Sequence, residues 1–181
     1  MKGIVFNVLR GMVQDKSGLD SWDRALMATG LDGAYTSLGS YPDQELIRIV
    51  NHLAKEAGTS STTYLRQFGR HACRAMLDSC RHITAQFSDS RSLLRALNQI
   101  IHPEVRKLYP DSETPDFRVI KESSVMIDLE YASQRSLCSF ALGMAAGAVD
   151  YFGEKAEISH PVCRLRDDSA CILRVHYFPI R

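Results

Sequence analysis

Tyr131, Ser133 and Arg135 occupy alternate positions in Tyr131-Ala132-Ser133-Gln134-Arg135, where strand spacing gives way to helix spacing. Alternate residues of an extended chain face one way, so a phenol, a hydroxyl and a guanidinium can aim at one anion. The guanidinium fork grips a carboxylate through two parallel hydrogen bonds, and the hydroxyls add shorter, directional ones. Taken alone, the same trio reads sooner as a solvated strand end. Upstream, His102 follows Ile100-Ile101 in an apolar helical run and precedes Pro103. An isolated histidine there is ordinarily a side chain that hydrogen-bonds locally. Its chemical alternative is a metal ligand, because neutral imidazole suits iron and is the usual proximal ligand of haem. Pro103 removes a helical hydrogen bond and predicts a bend beside that candidate. One axial imidazole plus a carboxylate clamp is what a haem with two propionates needs.

A second constellation joins Cys138, His160, Cys163 and Cys171. Thiols with an imidazole suit structural zinc. The spacing is not that of a standard finger, so small buried side chains and a surface histidine are the other reading. Cys73 and Cys80 lack such partners and read as inert thiols; His52, His71, His82 and His176 read as ordinary histidines, with His71 nearest the expected pocket. Phe140, Gly143, Met144 and Gly147 recur at helical spacing as one apolar stripe with two small residues. Leu9, Ala72 and Met76 on other helices likewise carry no hydroxyl or amide. Plain helix packing accounts for that stripe as well as a pocket wall does; as a wall, it is apolar.

The elements that must position these groups follow from periodicity. Ile4, Val5, Val8, Leu9, Met12 and Val13 mark a helix ended by Gly18, and Ser21-Trp22 opens a second one stopped at Gly30. Ser40-Tyr41-Pro42-Asp43 predicts a helix start capped by Ser40. Thr62 or Thr63 begins the next helix, and one long helix is expected over 90–108. After Pro110, Val125, Ile127, Leu129 and Tyr131 alternate as a strand, helix spacing returns over 134–151, and strands follow over 156–159 and 171–178. The fold class is α+β: a helical N-terminal part, then an antiparallel sheet with a long helix between its strands.

Composition excludes other classes. The chain of 181 residues suits one domain, and 45% hydrophobic with 24% charged residues is globular, not disordered. A formal charge of +1 gives no general pull toward nucleic acid or an acidic membrane. No phosphate loop, dinucleotide fingerprint or nucleophile elbow occurs, and no acid, base and nucleophile set for a small enzyme stands out. The start is too short and too broken by Asn7 and Arg10 for a signal peptide, and 137–149 is too short for a membrane span. A cytoplasmic protein is expected, in which five cysteines mean free thiols or metal ligands.

The Tyr-x-Ser-x-Arg segment, the upstream histidine, Tyr109-Pro110 and Pro115 between them, and the Met1-Lys2-Gly3 start together resemble a haem-nitric oxide/oxygen binding (H-NOX) domain over essentially the whole chain. The resemblance implies a single domain, 1–181, with a helical distal part of about 1–62, a proximal part of about 63–181 and haem b buried between them. It implies His102 as proximal iron ligand, Tyr131, Ser133 and Arg135 on the propionates, Pro115 pressing on the haem, and Phe140, Met144, Leu9 and Met76 around it. Oxygen-binding members carry a distal tyrosine where Phe140 stands, so nitric oxide and carbon monoxide are the implied ligands. Some bacterial members hold zinc with the ligand set matched by Cys138, His160, Cys163 and Cys171. The implied role is a non-enzymatic, stand-alone nitric oxide sensor. Its ligand weakens the His102–iron bond and so regulates a separate sensor histidine kinase or cyclic-di-GMP enzyme. The alternatives are an oxygen- or redox-sensing version of the same domain and a haem-free module of vinyl-reductase-like type.

Overall fold

The computed structural model describes residues 1–135 and 137–178. Four helices lead: α1 (Gly3–Ser17), α2 (Leu19–Thr29), α3 (Asp43–Glu56) and α4 (Ser61–Ser79). Short helices α5 (Arg81–Thr84) and α6 (Ser90–Arg95) precede a π-helical turn over Leu97–Ile101, and α7 (His102–Leu108) continues from it. The remainder holds β1 (Asp116–Ser123), β2 (Met126–Ala132), α8 (Cys138–Tyr151), β3 (Ala156–Val162) and β4 (Ile172–Tyr177). The class is α+β, with the sheet and long helix after the N-terminal helices. Among the described residues, no helix is long and apolar enough to cross a membrane.

The strands form one antiparallel sheet in the order β1-β2-β4-β3. Period-two alternation places Ile127, Leu129 and Tyr131 of β2 and Leu173 and Val175 of β4 on the buried face, with Ile127 opposite Val175 and Leu129 opposite Leu173. These residues pack with Leu142, Ala145 and Val149 of α8 in one core. A second core joins Phe6, Leu9 and Met12 of α1 to Ile49 and Val50 of α3 and Leu65 and Phe68 of α4. The two cores meet where α4 crosses α8. A Cβ at Gly69 would run into the Phe140 carbonyl, and one at Gly143 into the Arg66 carbonyl, so only glycine permits this crossing.

Three expectations are corrected. Ser40 pairs with Lys2 as an isolated bridge and does not cap α3, whose first turn carries Asp43 and Glu45 at its positive end instead. The single helix over 90–108 is three pieces: Pro103 has no N–H to donate and its ring crowds the preceding turn, and the chain widens into the π turn just before it. The helix expected over 134–151 begins at Cys138, and Ser136 lies outside the described residues. The start of α4 comes close to its expectation, with Ser60 Oγ accepting from the Thr63 N–H at 3.1 Å.

Candidate functional site

Each half of the expected site hangs on a defined element. His102 opens α7 directly after the π turn and is only 8% exposed. Its ring centroid lies 5.8 Å from that of Phe117 on β1, which lies 5.3 Å from that of Tyr131 at the end of β2. An aromatic row thus links the histidine to the clamp. Burial first, then the nearby Arg106 cation, pushes the His102 imidazole down to about 4, with Asp116 opposing. The ring is therefore neutral at physiological pH, with a lone pair free to ligate. Burial holds the Tyr131 phenol above its ordinary value, against the opposing influence of Ser133 and the Arg135 cation, so Tyr131 stays protonated.

Beyond β2 the chain turns, and the Arg135 N–H donates to Ser133 Oγ at 3.1 Å. The guanidinium is held from two other elements. Its Nε donates to Asp43 Oδ2 at 2.6 Å, at the head of α3, and Nη1 donates to the Glu113 carbonyl at 2.8 Å. Its Nη2 donates to Glu113 Oε2 at 3.1 Å. Arg135 is already a carboxylate grip, as its fork geometry dictates.

These groups share a cavity of about 300 Å³. His102, Tyr131, Ser133, Arg135, Pro115, Phe140, Met144 and Met76 all line it. It opens toward a cleft of about 700 Å³ that shares Met76, Pro115 and Arg135 with it. The wall supplied by α4 and α8 consists of Cys73, Met76, Leu77, Phe140, Ala141, Met144, Ala145 and Ala148, none with a side-chain oxygen or nitrogen. Leu9 is not among the lining residues. It is fully buried in the N-terminal core, against which Met76, Phe140 and Met144 pack. His71 lies away from the cavity, in a surface groove with Lys16, Arg70 and Asp150.

The second constellation also comes together. One ligand atom each of Cys138, His160, Cys163 and Cys171 lies within 4.8 Å of the others. Cys138 Sγ and Cys163 Sγ are 3.9 Å apart, close to the edge of about 3.8 Å that tetrahedral zinc with sulfur at about 2.3 Å requires. Among the described residues, buried His160 Nε2 has no hydrogen-bond partner, and an unpaired buried nitrogen calls for a ligand. Burial and the neighbouring sulfurs raise the Cys138 thiol, a cost that a cation at the centre would reverse. Asp168 orders the surrounding turn by accepting from the Cys163 N–H at 2.7 Å.

Sequence reasoning missed Asp43, Glu113 and Phe117. Asp43 and Glu113 sit 92 and 22 positions from Arg135, where no periodicity reaches. Phe117 belongs to β1, an edge strand mostly exposed along its length, so the usual burial alternation is missing.

Comparison with known proteins agrees with this geometry. A family model described as Haem-NO-binding matches residues 2–160. The structure is similar to that of an H-NOX protein from Shewanella oneidensis in the Fe(II)NO ligation state, with TM-score 0.93 and 31% identity over 99% of this chain and 100% of that one. An H-NOX protein from Shewanella woodyi in the Fe(II)CO state gives TM-score 0.83 and 32% identity over 99% and 95%. An unliganded Fe(II) H-NOX protein from K. algicida gives 0.90 and 28% over 99% and 98%. No curated protein matches the chain.

Proposed function

The chain belongs to the Haem-NO-binding family, and on that premise we propose that it is a sensor of nitric oxide that binds haem b and acts on a separate signalling protein. The observation that carries this reading is a buried, neutral His102 in one apolar cavity with a carboxylate-gripping Arg135. The residues fit the group. His102 offers a free lone pair, the apolar wall suits a porphyrin face, and polar donors gather at Tyr131, Ser133 and Arg135, where propionates need them. Haem, when bound, supplies an iron centre for diatomic ligands.

The chain's own residues set the selectivity. Oxygen at a ferrous iron would gain about 1.5–3 kcal/mol from a charge-assisted hydrogen bond supplied by the chain, whereas nitric oxide and carbon monoxide would depend on it far less. Phe140 and its neighbours on α4 and α8 offer no such donor. The wall therefore selects by omission. Relatives in the Fe(II)NO and Fe(II)CO states support this ligand class.

His102 carries ligand state into the polypeptide. His102 would hold the iron from α7, which is short, starts at a π turn and is tied to the 109–115 loop through the Arg106 to Thr114 hydrogen bond at 2.6 Å, so a change in its hold would pass to that loop. Pro115 on that loop lines the cavity and registers the same change. In this reading the parts about 1–62 and 63–181 close on the haem from two sides, the protein is cytoplasmic, and its output is binding to a sensor histidine kinase or a cyclic-di-GMP enzyme, not catalysis. The cluster of Cys138, His160, Cys163 and Cys171 holds a structural zinc.

The test is the absorption spectrum of the ferrous protein beside that of His102→Ala without added imidazole. Loss of the wild-type ferrous spectrum in the variant is expected; an unchanged spectrum there overturns the ligand assignment. Titration of the purified partner then reads the output. Stronger inhibition by the nitrosyl form than by the unliganded form is expected, and equal effects remove the switch.

A further inference from the structure

Arg135 is held by two carboxylates that differ sharply in shelter. The Asp43 side chain is 29% exposed and bonds Nε at 2.6 Å, whereas the Glu113 side chain is 81% exposed and bonds Nη2 at 3.1 Å. The remaining contact, Nη1 to the Glu113 carbonyl at 2.8 Å, is to backbone. Among the described residues, the hydrogen bonds made by the two Nη groups both go to Glu113. Arg135 lines both the inner cavity and the cleft outside it, while Glu113 lines only the outer cleft.

We propose that Glu113 is an exchangeable placeholder: its carboxylate occupies the seat on Arg135 that a carboxylate of the bound ligand takes on loading. The exchange is thermodynamically cheap. A solvated ion pair of this kind contributes little, and the displaced side chain goes to water. Asp43 keeps its place on Nε and continues to orient the fork. The Glu113 carbonyl keeps the 109–115 loop attached to Nη1, so the side chain alone changes partners. Glu113 thus competes with the ligand's carboxylate and lowers the retention that the clamp would otherwise give. This inference rests on reading the cavity as a haem site.

The experiment measures loss of haem from the loaded full chain to excess apomyoglobin, for wild type, Glu113→Gln and Asp111→Asn. Asp111 lines the same outer cleft, is 88% exposed and serves as the charge control. Each protein is loaded with haem or with haem dimethyl ester, which keeps the ring and lacks free carboxylates. Glu113→Gln is expected to slow haem loss by about two- to fivefold, with no change for the ester and none in Asp111→Asn. Equal loss from wild type and Glu113→Gln overturns the placeholder. An equal effect on the ester assigns Glu113 a merely structural role, and an equal effect of Asp111→Asn assigns it bulk charge; either overturns the exchange. Wild type that takes up no haem overturns the reading of the cavity itself, and the inference falls with it.

Discussion

The Tyr131 backbone N–H donates to the Cys171 carbonyl at 2.8 Å, so a backbone hydrogen bond ties the clamp to the sulfur cluster. Cys138 begins α8 three positions after Arg135, which gives the cluster a second grip on the clamp. A metal there would set the positions of Tyr131 and Arg135 from behind, and its loss would loosen both.

Removal of zinc by chelation, or Cys171→Ser, is expected to lower Tm by on the order of 10 °C, because a closed site of this kind contributes several kcal/mol or more to folding. Haem loss should accelerate in parallel. Metal analysis and a thermal melt followed by circular dichroism check this; an unchanged Tm in zinc-free protein contradicts it.

The crossing of α4 and α8 is a sensitive point, since the Cβ of an alanine at Gly143 meets the Arg66 carbonyl. Gly143→Ala is expected to cost about 1–3 kcal/mol through backbone displacement and to disturb the adjacent Phe140 and Met144 wall. Urea unfolding reads the first effect and the carbon monoxide stretching frequency reads the second.

His102 gives a pH dependence to the haem-free chain. Its value falls from 6.5 to about 4 in the fold, so the unfolded chain binds more protons between those limits. The contribution is complete above pH 6.5 and is lost as pH falls through about 4. It amounts to no more than about 3 kcal/mol. Urea unfolding of the haem-free wild type and His102→Leu at pH 7 and pH 4.5 isolates it: the variant should lose less stability on acidification.

Phe140→Tyr places a phenolic donor in a wall that has none. Oxygen affinity should rise by roughly 10–150-fold, enough to give a transient oxygenated spectrum, with little change for carbon monoxide. Flash photolysis measures both.

Legibility in the sequence followed the range of each interaction. Tyr131, Ser133 and Arg135 were legible as a set because they lie within five residues, although only Tyr131 stays in β2 and a turn, not strand alternation, carries Ser133 and Arg135 to the cavity; α8 was legible because its apolar stripe repeats locally. Pro103 signalled a bend beside His102, but not that it would become a π turn, because that depends on where the widened backbone can pack. Asp43 and Glu113 gave no local sign of meeting Arg135, since that meeting is made by tertiary closure. Leu9 shares the apolar character of the cavity wall, yet it is buried in the N-terminal core, and apolar type alone does not distinguish a second layer from a lining. The edge strand β1 escaped because its residues are mostly exposed, and its register shifts between Val119 and Lys121.

The central claim is that the chain distinguishes nitric oxide from oxygen through a wall without donors. One absorption series tests it most directly: ferrous protein under nitrogen, then in air-equilibrated buffer, then with nitric oxide. The account predicts no stable oxygenated spectrum in air and a complete shift to a nitrosyl spectrum with nitric oxide. A stable oxygenated spectrum in the wild-type protein, or no response to nitric oxide, would contradict it.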